Sequence, residues 1–111
     1  MAINKELLKG STVILVLTLL SRRDMYGYEI VKELGLLSEG VFELKEGTLY
    51  PILHTLEAER WVDAYWQEHD GRRRKYYRLT EEGRGRLKEK KAEWVVFRSA
   101  VDGVIGEGGI G

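Results

Sequence analysis

Residues 69–80 read HDGRRRKYYRLT, and their order predicts the turn and return strand of a β-hairpin. Asp70-Gly71 favours a tight turn, because both residue types adopt the positive φ angles that such turns need. The preceding segment, Trp61–Gln67, alternates with period two, which is typical of a half-buried strand. After the turn the alternation continues, with Lys75, Tyr77 and Leu79 on one side and Arg74, Tyr76 and Arg78 on the other. Tyr77 shares a side with Leu79, so we expect Tyr77 to face the core.

Positive charge is concentrated in and after this hairpin. The whole chain has 18 Lys+Arg and 18 Asp+Glu, but residues 71–91 hold ten basic and three acidic side chains, whereas residues 24–70 hold three and eleven. Exposed charges are screened beyond about 10 Å at moderate salt, so a polyanion would respond to the nearby basic segment more than to the neutral total. The net charge therefore does not exclude nucleic acid as a partner.

Three helices are predicted before the hairpin. Apolar residues at helical spacing indicate a first helix over residues 4–20. A second helix follows Asp24, a candidate cap, and ends between Gly35 and Gly40. In the third helix, Leu49, Ile52, Leu53 and Leu56 recur at positions i, i+3, i+4 and i+7. We place its start near Thr48, because Pro51 is best tolerated in a first helical turn.

A final helix is predicted after the hairpin. Thr80 is a suitable N-cap, and Glu81 and Glu82 lie where the helix dipole favours negative charge. The helix runs to about Val104, and the glycine-rich residues 106–111 predict a flexible tail. The predicted fold class is mainly α with a small β-hairpin: a winged helix-turn-helix over residues 1–80 and a long C-terminal helix over residues 81–105.

Composition excludes several functions. A chain of 111 residues without cysteine has no disulfide, thiolate metal site or cysteine nucleophile, as is usual in a reducing cytoplasm. The most apolar run, residues 13–20, is too short to cross a membrane. His54 and His69 are 15 residues apart without further ligands at metal spacing, so no metal site and no cofactor are expected. A small hydrolase is also disfavoured, because no nucleophile with its base can be assembled. We expect a cytoplasmic protein that is not an enzyme.

In a winged helix-turn-helix the third helix enters the major groove of DNA while the hairpin lies along the backbone or the minor groove. Hydroxyl, imidazole and apolar groups can read base edges, and cations can bind phosphates. The predicted DNA-binding residues are Lys45, Gly47, Thr48, Tyr50, Pro51, His54 and Thr55 on the helix, and Arg72, Arg73, Arg74 and Lys75 on the hairpin. Three alternatives stay open. Lys and Arg also protect exposed strand edges, Tyr50 can turn inward, and Arg78 can pair with a neighbouring acid.

The last helix also predicts a dimer. Leu87, Trp94 and Val101 recur every seven residues, and Phe97 and Val104 add the second half of an apolar seam. A monomer has little left to cover this seam, so we expect it to pack on a second copy. The first helix, with Leu7 and Leu8, is expected to pack against the seam from the partner chain.

Three motifs resemble the PadR family of bacterial transcriptional regulators. They are Tyr26-Gly27-Tyr28-Glu29-Ile30, the segment GTLYPILHTLE at residues 47–57, and RKYYRLTEEG at residues 74–83. The resemblance implies a homodimer that represses promoters at inverted repeats and is released by a small molecule. The single C-terminal helix is similar to a short subfamily that includes multidrug sensors.

The same resemblance implies an effector site. In those relatives a Trp at the place of Trp94 lines an aromatic pore between subunits, here with Phe97 nearby. Arg98 lies one turn along the helix, which favours a neutral or anionic aromatic effector. The competing interpretation is a winged-helix module that binds proteins and never DNA, and the acidic residues 24–70 are its best support.

Overall fold

A computed structural model describes residues 5–106 as a helical domain built on a small antiparallel sheet. The elements are α1 Lys5–Lys9, α2 Thr12–Arg22, β1 Met25–Tyr26, α3 Gly27–Leu37, α4 Glu46–Ala58, β2 Val62–His69, β3 Arg72–Leu79 and α5 Glu81–Ile105. This architecture confirms the predicted fold class. Asn4, where the first helix was predicted to begin, and residues 107–111 of the predicted tail lie outside the described residues.

The prediction of one continuous helix over residues 4–20 was wrong. The chain forms α1 and α2, separated at Gly10 and Ser11. Glycine has high backbone entropy and weakens a helix interior. The Thr12 hydroxyl and the Ser11 amide both donate to the carbonyl of Leu8, at 3.0 and 2.9 Å, and so satisfy the end of α1.

The start of α3 also differs from the prediction. Asp24 does not cap this helix; Tyr26 is the N-cap, and its amide donates to the Glu29 carboxylate at 3.1 Å. Met25 and Tyr26 form a short strand that pairs antiparallel with Tyr77 and Tyr76. The sheet therefore has three strands in the order β1-β3-β2 rather than two. The end of α3 at Leu37 falls within the predicted range.

The hairpin, residues 62–79, is called the wing below. Its strands pair in register from Val62↔Leu79 to His69↔Arg72, and Asp70 and Gly71 have φ angles of 52° and 78°. Two successive positive φ angles are those of the two-residue turn that the sequence predicts. Tyr77 is 1% exposed, which confirms its predicted place in the core.

The core lies between the sheet and the helices that pack on it. Val16 and Leu17 of α2, Ile30 of α3, and Leu49 and Leu53 of α4 are fully buried. Burial of Leu49 and Leu53 leaves the opposite face of α4 in solvent. The sheet and the core together fix the position of α4 next to the wing.

Helix α4 begins earlier than predicted. Its first residue is Glu46, its N-cap is Lys45, and no side chain caps it, so Thr48 lies inside the helix. Pro51 consequently lies in the second turn, where its missing amide leaves the Gly47 carbonyl without its usual helical donor. Further along, the Thr55 hydroxyl donates to the Pro51 carbonyl at 3.1 Å.

Candidate nucleic-acid interface

The solvent face of α4 carries most of the predicted reading residues. Leu49, Leu53 and Leu56 point into the core, which turns the rest of the helix outward. The exposed residues on and just before the helix are Lys45, Glu46, Gly47, Thr48, Tyr50, Pro51, His54, Thr55 and Ala58. Between Gly47 and Thr55 this surface has no Asp, Glu, Lys or Arg. A surface of hydroxyl, imidazole and methyl groups is suited to the donor, acceptor and methyl pattern of a major groove.

Tyr50 differs from the other members of this face. A Cβ atom built on Gly27 would lie 2.5 Å from the Tyr50 hydroxyl oxygen and 2.8 Å from its ring carbon Cζ. The ring thus packs against the backbone at the start of α3. Burial raises the pKa of the Tyr50 hydroxyl, and the nearby Glu46 carboxylate adds to the increase. Tyr50 therefore joins α3 to α4, in line with the alternative that it turns inward.

The wing cations divide into two pairs. Arg72 and Arg73 are exposed at the tip, where the Arg73 guanidinium lies 5.3 Å from the centre of the Trp66 ring. Arg74 is half-buried, with its guanidinium 4.3 Å from the centre of the Tyr26 ring. Lys75 Nζ lies 3.4 Å from a carboxylate oxygen of Glu57 on α4. Arg74 and Lys75, both predicted to bind DNA, therefore also anchor the wing to the domain.

Arg78 belongs to neither pair. Its Nε donates to Asp63 across the hairpin at 3.0 Å, which confirms the alternative that Arg78 pairs with a neighbouring acid. This hydrogen bond and the charge of Asp63 raise the pKa of Arg78. The Arg78–Asp63 pair is exposed on the side of the sheet that looks away from α4.

That outer side of the sheet carries a row of tyrosines that the sequence reasoning did not assemble. The Tyr26 and Tyr76 rings meet edge to face at 5.4 Å, and Tyr65 stacks on Tyr76 at 5.7 Å. The Tyr65 hydroxyl donates to Asp24 at 2.7 Å, and this hydrogen bond raises the pKa of Tyr65 to about 12. The alternation of the hairpin placed Tyr76 outward, but β1, which brings Tyr26, was not predicted.

The exposed seam of α5 borders an apolar groove of about 760 Å³. The residues that line it are Leu7, Leu8, Gly10, Ser11, Val13, Ile14, Phe42, Lys90, Glu93, Trp94, Phe97 and Val101. The Trp94 and Phe97 rings lie 5.8 Å apart. Both predicted effector-binding aromatics thus face the same groove. Arg98 is exposed but is absent from the lining, whose charged members are Lys90 and Glu93.

Not all of the residues predicted to contact a partner chain are exposed. Leu7 and Val104 are strongly exposed, while Trp94 and Val101 retain part of their surface. Leu8 and Leu87 are only 6% and 5% exposed, because they pack in the core of their own chain. These two side chains therefore offer little surface of their own, although Leu8 lines the groove, and their part in a dimer contact stays a prediction.

Within residues 5–106, no three or more His, Cys, Asp and Glu side chains are grouped so as to hold a metal ion. In the same range no helix has both the length and the apolar character needed to cross a membrane.

Comparisons with known proteins agree with this geometry. Residues 16–89 match the transcriptional regulator PadR-like family. A Lysinibacillus sphaericus protein named uncharacterized protein X is 34% identical over 101 residues, which are 90% of this chain and 93% of that protein.

Two solved structures share the fold. A transcriptional regulator from Clostridium thermocellum superposes with a TM-score of 0.82 at 33% identity, over 87% of this chain and 95% of the other. A PadR family transcription regulator from Clostridium difficile R20291 superposes with a TM-score of 0.76 at 37% identity, over 86% and 99% of the two chains. The chain is thus a transcriptional regulator that belongs to the PadR-like family.

Proposed function

We propose that the chain binds double-stranded DNA as a homodimer, with α4 in the major groove and the wing on the adjacent sugar-phosphate backbone. One observation carries the proposal: α4 presents an exposed face without Asp, Glu, Lys or Arg from Gly47 to Thr55, and the wing, which Lys75 links to Glu57 of α4, presents two exposed arginines, Arg72 and Arg73. Base contacts from α4 would supply sequence specificity, whereas the arginines would supply affinity through phosphate contacts.

The salt dependence of binding tests this proposal. Affinity for a duplex should fall steeply as salt rises, because each neutralised phosphate releases condensed counterions. Replacing Arg73 by Ala should reduce the slope of log affinity against log salt by about one. Arg78→Ala is the matched control, since Arg78 lies on the same strand but pairs with Asp63. A protein-binding module without DNA affinity would show no salt-sensitive duplex binding at all.

The operator can be identified by selection. Fragments bound by the purified protein from a random-sequence duplex pool should contain an inverted repeat, because a two-fold dimer presents two identical reading helices. The half-sites should lie about one helical turn, or a multiple of it, apart. Selected fragments with a single unpaired half-site would contradict the dimer while leaving DNA binding intact.

We further propose that the chain is a repressor that a small aromatic compound releases from DNA. The apolar groove beside Trp94 and Phe97 supports this idea, because neighbouring aromatic rings and an apolar wall suit a planar ligand. Its charged rim contains both Lys90 and Glu93, so the groove itself does not select the sign of the effector.

Trp94 emission tests the effector proposal. Planar aromatic compounds should quench it and weaken DNA binding over the same concentration range, and a Trp94→Phe variant should lose the quenching. Compounds that leave both emission and DNA binding unchanged would contradict ligand control. A promoter reporter should show transcription rising when the gene for the protein is deleted, if the regulator is a repressor.

A further inference from the structure

Trp66 is an exposed tryptophan that has entered the interface so far only as a neighbour of Arg73. Its side chain is 58% exposed, although a large aromatic residue on a soluble domain is usually at least half covered. It lies in β2, two residues beyond the partly buried Ala64 and directly opposite Lys75. The core below therefore ends just before Trp66, and the indole projects past it.

The direction of that projection follows from the sheet. Val62, Ala64 and Trp66 share one face of β2, and Leu79, Tyr77 and Lys75 are their partners on β3. This is the buried face, and on it Lys75 reaches Glu57 of α4 at 3.4 Å. Trp66 thus stands on the α4 side of the wing. The tyrosine row and the Arg78–Asp63 pair occupy the other side.

Trp66 also contacts one of the two exposed arginines. The Arg73 guanidinium carbon lies 5.3 Å from the centre of the indole ring, within the range of a cation–π interaction. Arg73 is the diagonal neighbour of Trp66, since Trp66 pairs with Lys75 two residues further along β3. An arginine held on an aromatic face loses fewer conformations when it binds a phosphate.

We propose that Trp66 is a DNA-backbone contact of the wing, whose indole packs on deoxyribose and donates its Nε1–H to a phosphate while its face positions Arg73. The inference rests on the proposed DNA-binding function. Backbone phosphate is the occupant that the surroundings favour, because the wing carries five cations against the three carboxylates of Asp63, Glu68 and Asp70. An indole supplies a donor and no acceptor, which suits a phosphate oxygen.

Equilibrium binding to a random-sequence 30-base-pair duplex tests the inference. Trp66→Ala should weaken binding roughly tenfold, the size of one aromatic contact to nucleic acid. The salt slope should stay unchanged, because no cation is removed, whereas Arg73→Ala should lower the slope by about one. The double variant should lose less than the sum of the two single losses, because Arg73 depends on Trp66. Gln67→Ala, at an exposed neighbour on the opposite face, is the matched control.

The fluorescence emission of Trp66 gives a second measurement, which does not require Trp66 itself to be replaced. A Trp61→Phe/Trp94→Phe chain retains only Trp66, and its emission should shift when the duplex is added. If the wild-type chain shows no salt-sensitive duplex binding, the proposed function itself fails. If wild type binds and Arg73→Ala weakens binding, but Trp66→Ala binds like wild type and the Trp66 emission is constant, the inference alone is overturned.

Discussion

At the scale of single residues, Gly27 and Tyr50 hold the reading helix in place. The Tyr50 ring occupies the space that a side chain at Gly27 would need, so α3 and α4 pack closely at this contact. Tyr50 was expected to touch DNA directly. Its ring packs against Gly27 while the residue stays 36% exposed, so its contact with DNA stays a prediction.

Gly27→Ala should destabilise the fold by about 1–3 kcal/mol, because the added Cβ would overlap the Tyr50 hydroxyl group. Denaturant unfolding followed by circular dichroism measures this loss. Gly35→Ala is the control: it lies in the same helix with open space around the added Cβ, so it should be neutral or stabilising by up to about 1 kcal/mol. Equal effects at Gly27 and Gly35 would contradict the role of Tyr50.

Tyr65→Phe should cost about 1 kcal/mol at pH 7, because it removes a partly exposed hydrogen bond to Asp24. The bond holds the Tyr65 proton more tightly in the folded chain, where the pKa is about 12, than in the unfolded chain, where the pKa has its ordinary value of 10.0. The contribution is therefore fully present below about pH 10 and is lost as the pH rises from 10 towards 12.

Unfolding free energies of wild type and Tyr65→Phe at pH 7, 10 and 11 check this dependence. The difference between the two proteins should narrow from pH 10 upward. Tyr28→Phe, at an exposed tyrosine, controls for the general effect of removing a hydroxyl group. A difference that stays constant across this range would show that the Asp24 hydrogen bond does not perturb Tyr65.

At the scale of elements, Thr80 joins the wing to α5. Its hydroxyl oxygen accepts from the Gly83 amide at 2.9 Å and lies 2.8 Å from the Arg60 carbonyl, to which it can donate. Its amide donates to the Trp61 carbonyl at 3.1 Å. One residue thus caps α5 and fixes it to the segment that follows α4.

Thr80→Ala should lower the free energy of unfolding by about 1–2 kcal/mol, since both the cap and the link to Arg60 are lost. Thr80→Ser keeps the hydroxyl group and should retain most of this stability. Thermal and denaturant unfolding of the three proteins provide the measurement. Equal losses in the Ala and Ser variants would locate the effect in the methyl group rather than the hydroxyl.

The elements that local chemistry specifies were predictable from the sequence. The Asp70-Gly71 turn, the alternation that buries Tyr77, the leucine stripe of α4 and the Thr80 cap depend on residues close together in the chain. The two-residue strand β1 was not predictable, because its hydrogen bonds depend on β3, far along the sequence. The break at Gly10 lies within an otherwise helical pattern, and Lys45 begins α4 without a side-chain cap that would mark it.

In the candidate site, the exposed residues were predictable from the sequence, whereas the contacts between separate elements were not. Reading residues such as Thr48, His54 and Thr55 are exposed as expected, because the leucine stripe fixes which face of α4 is buried. The anchoring of Arg74 and Lys75 was missed, because their partners Tyr26 and Glu57 belong to other elements. Their role on DNA stays a prediction.

At the scale of the whole molecule, an exposed apolar seam runs along α5. Trp94 and Phe97 are 39% and 60% exposed, and Val104 is exposed further along the helix. A contiguous apolar surface of this kind marks an interaction site on a soluble protein.

Phe97→Glu should convert a dimer into a monomer, because a carboxylate would be buried in an apolar contact without a partner. Sedimentation equilibrium or light scattering after size exclusion measures the mass. Ser99→Glu, at an exposed polar position two residues further along, should leave the dimer intact. A wild-type chain that stays monomeric at micromolar concentration would contradict the proposed assembly.

The pairing of β1 with β3 also constrains when the protein becomes active during its synthesis. The ribosome makes Met25 and Tyr26 long before Tyr77 and Tyr76, so the three-stranded sheet can form only after β3 has been synthesised. A truncated translation product that stops before Arg72 lacks both β3 and the tip cations. Such a fragment lacks the strand with which both β1 and β2 pair, so it cannot form the sheet.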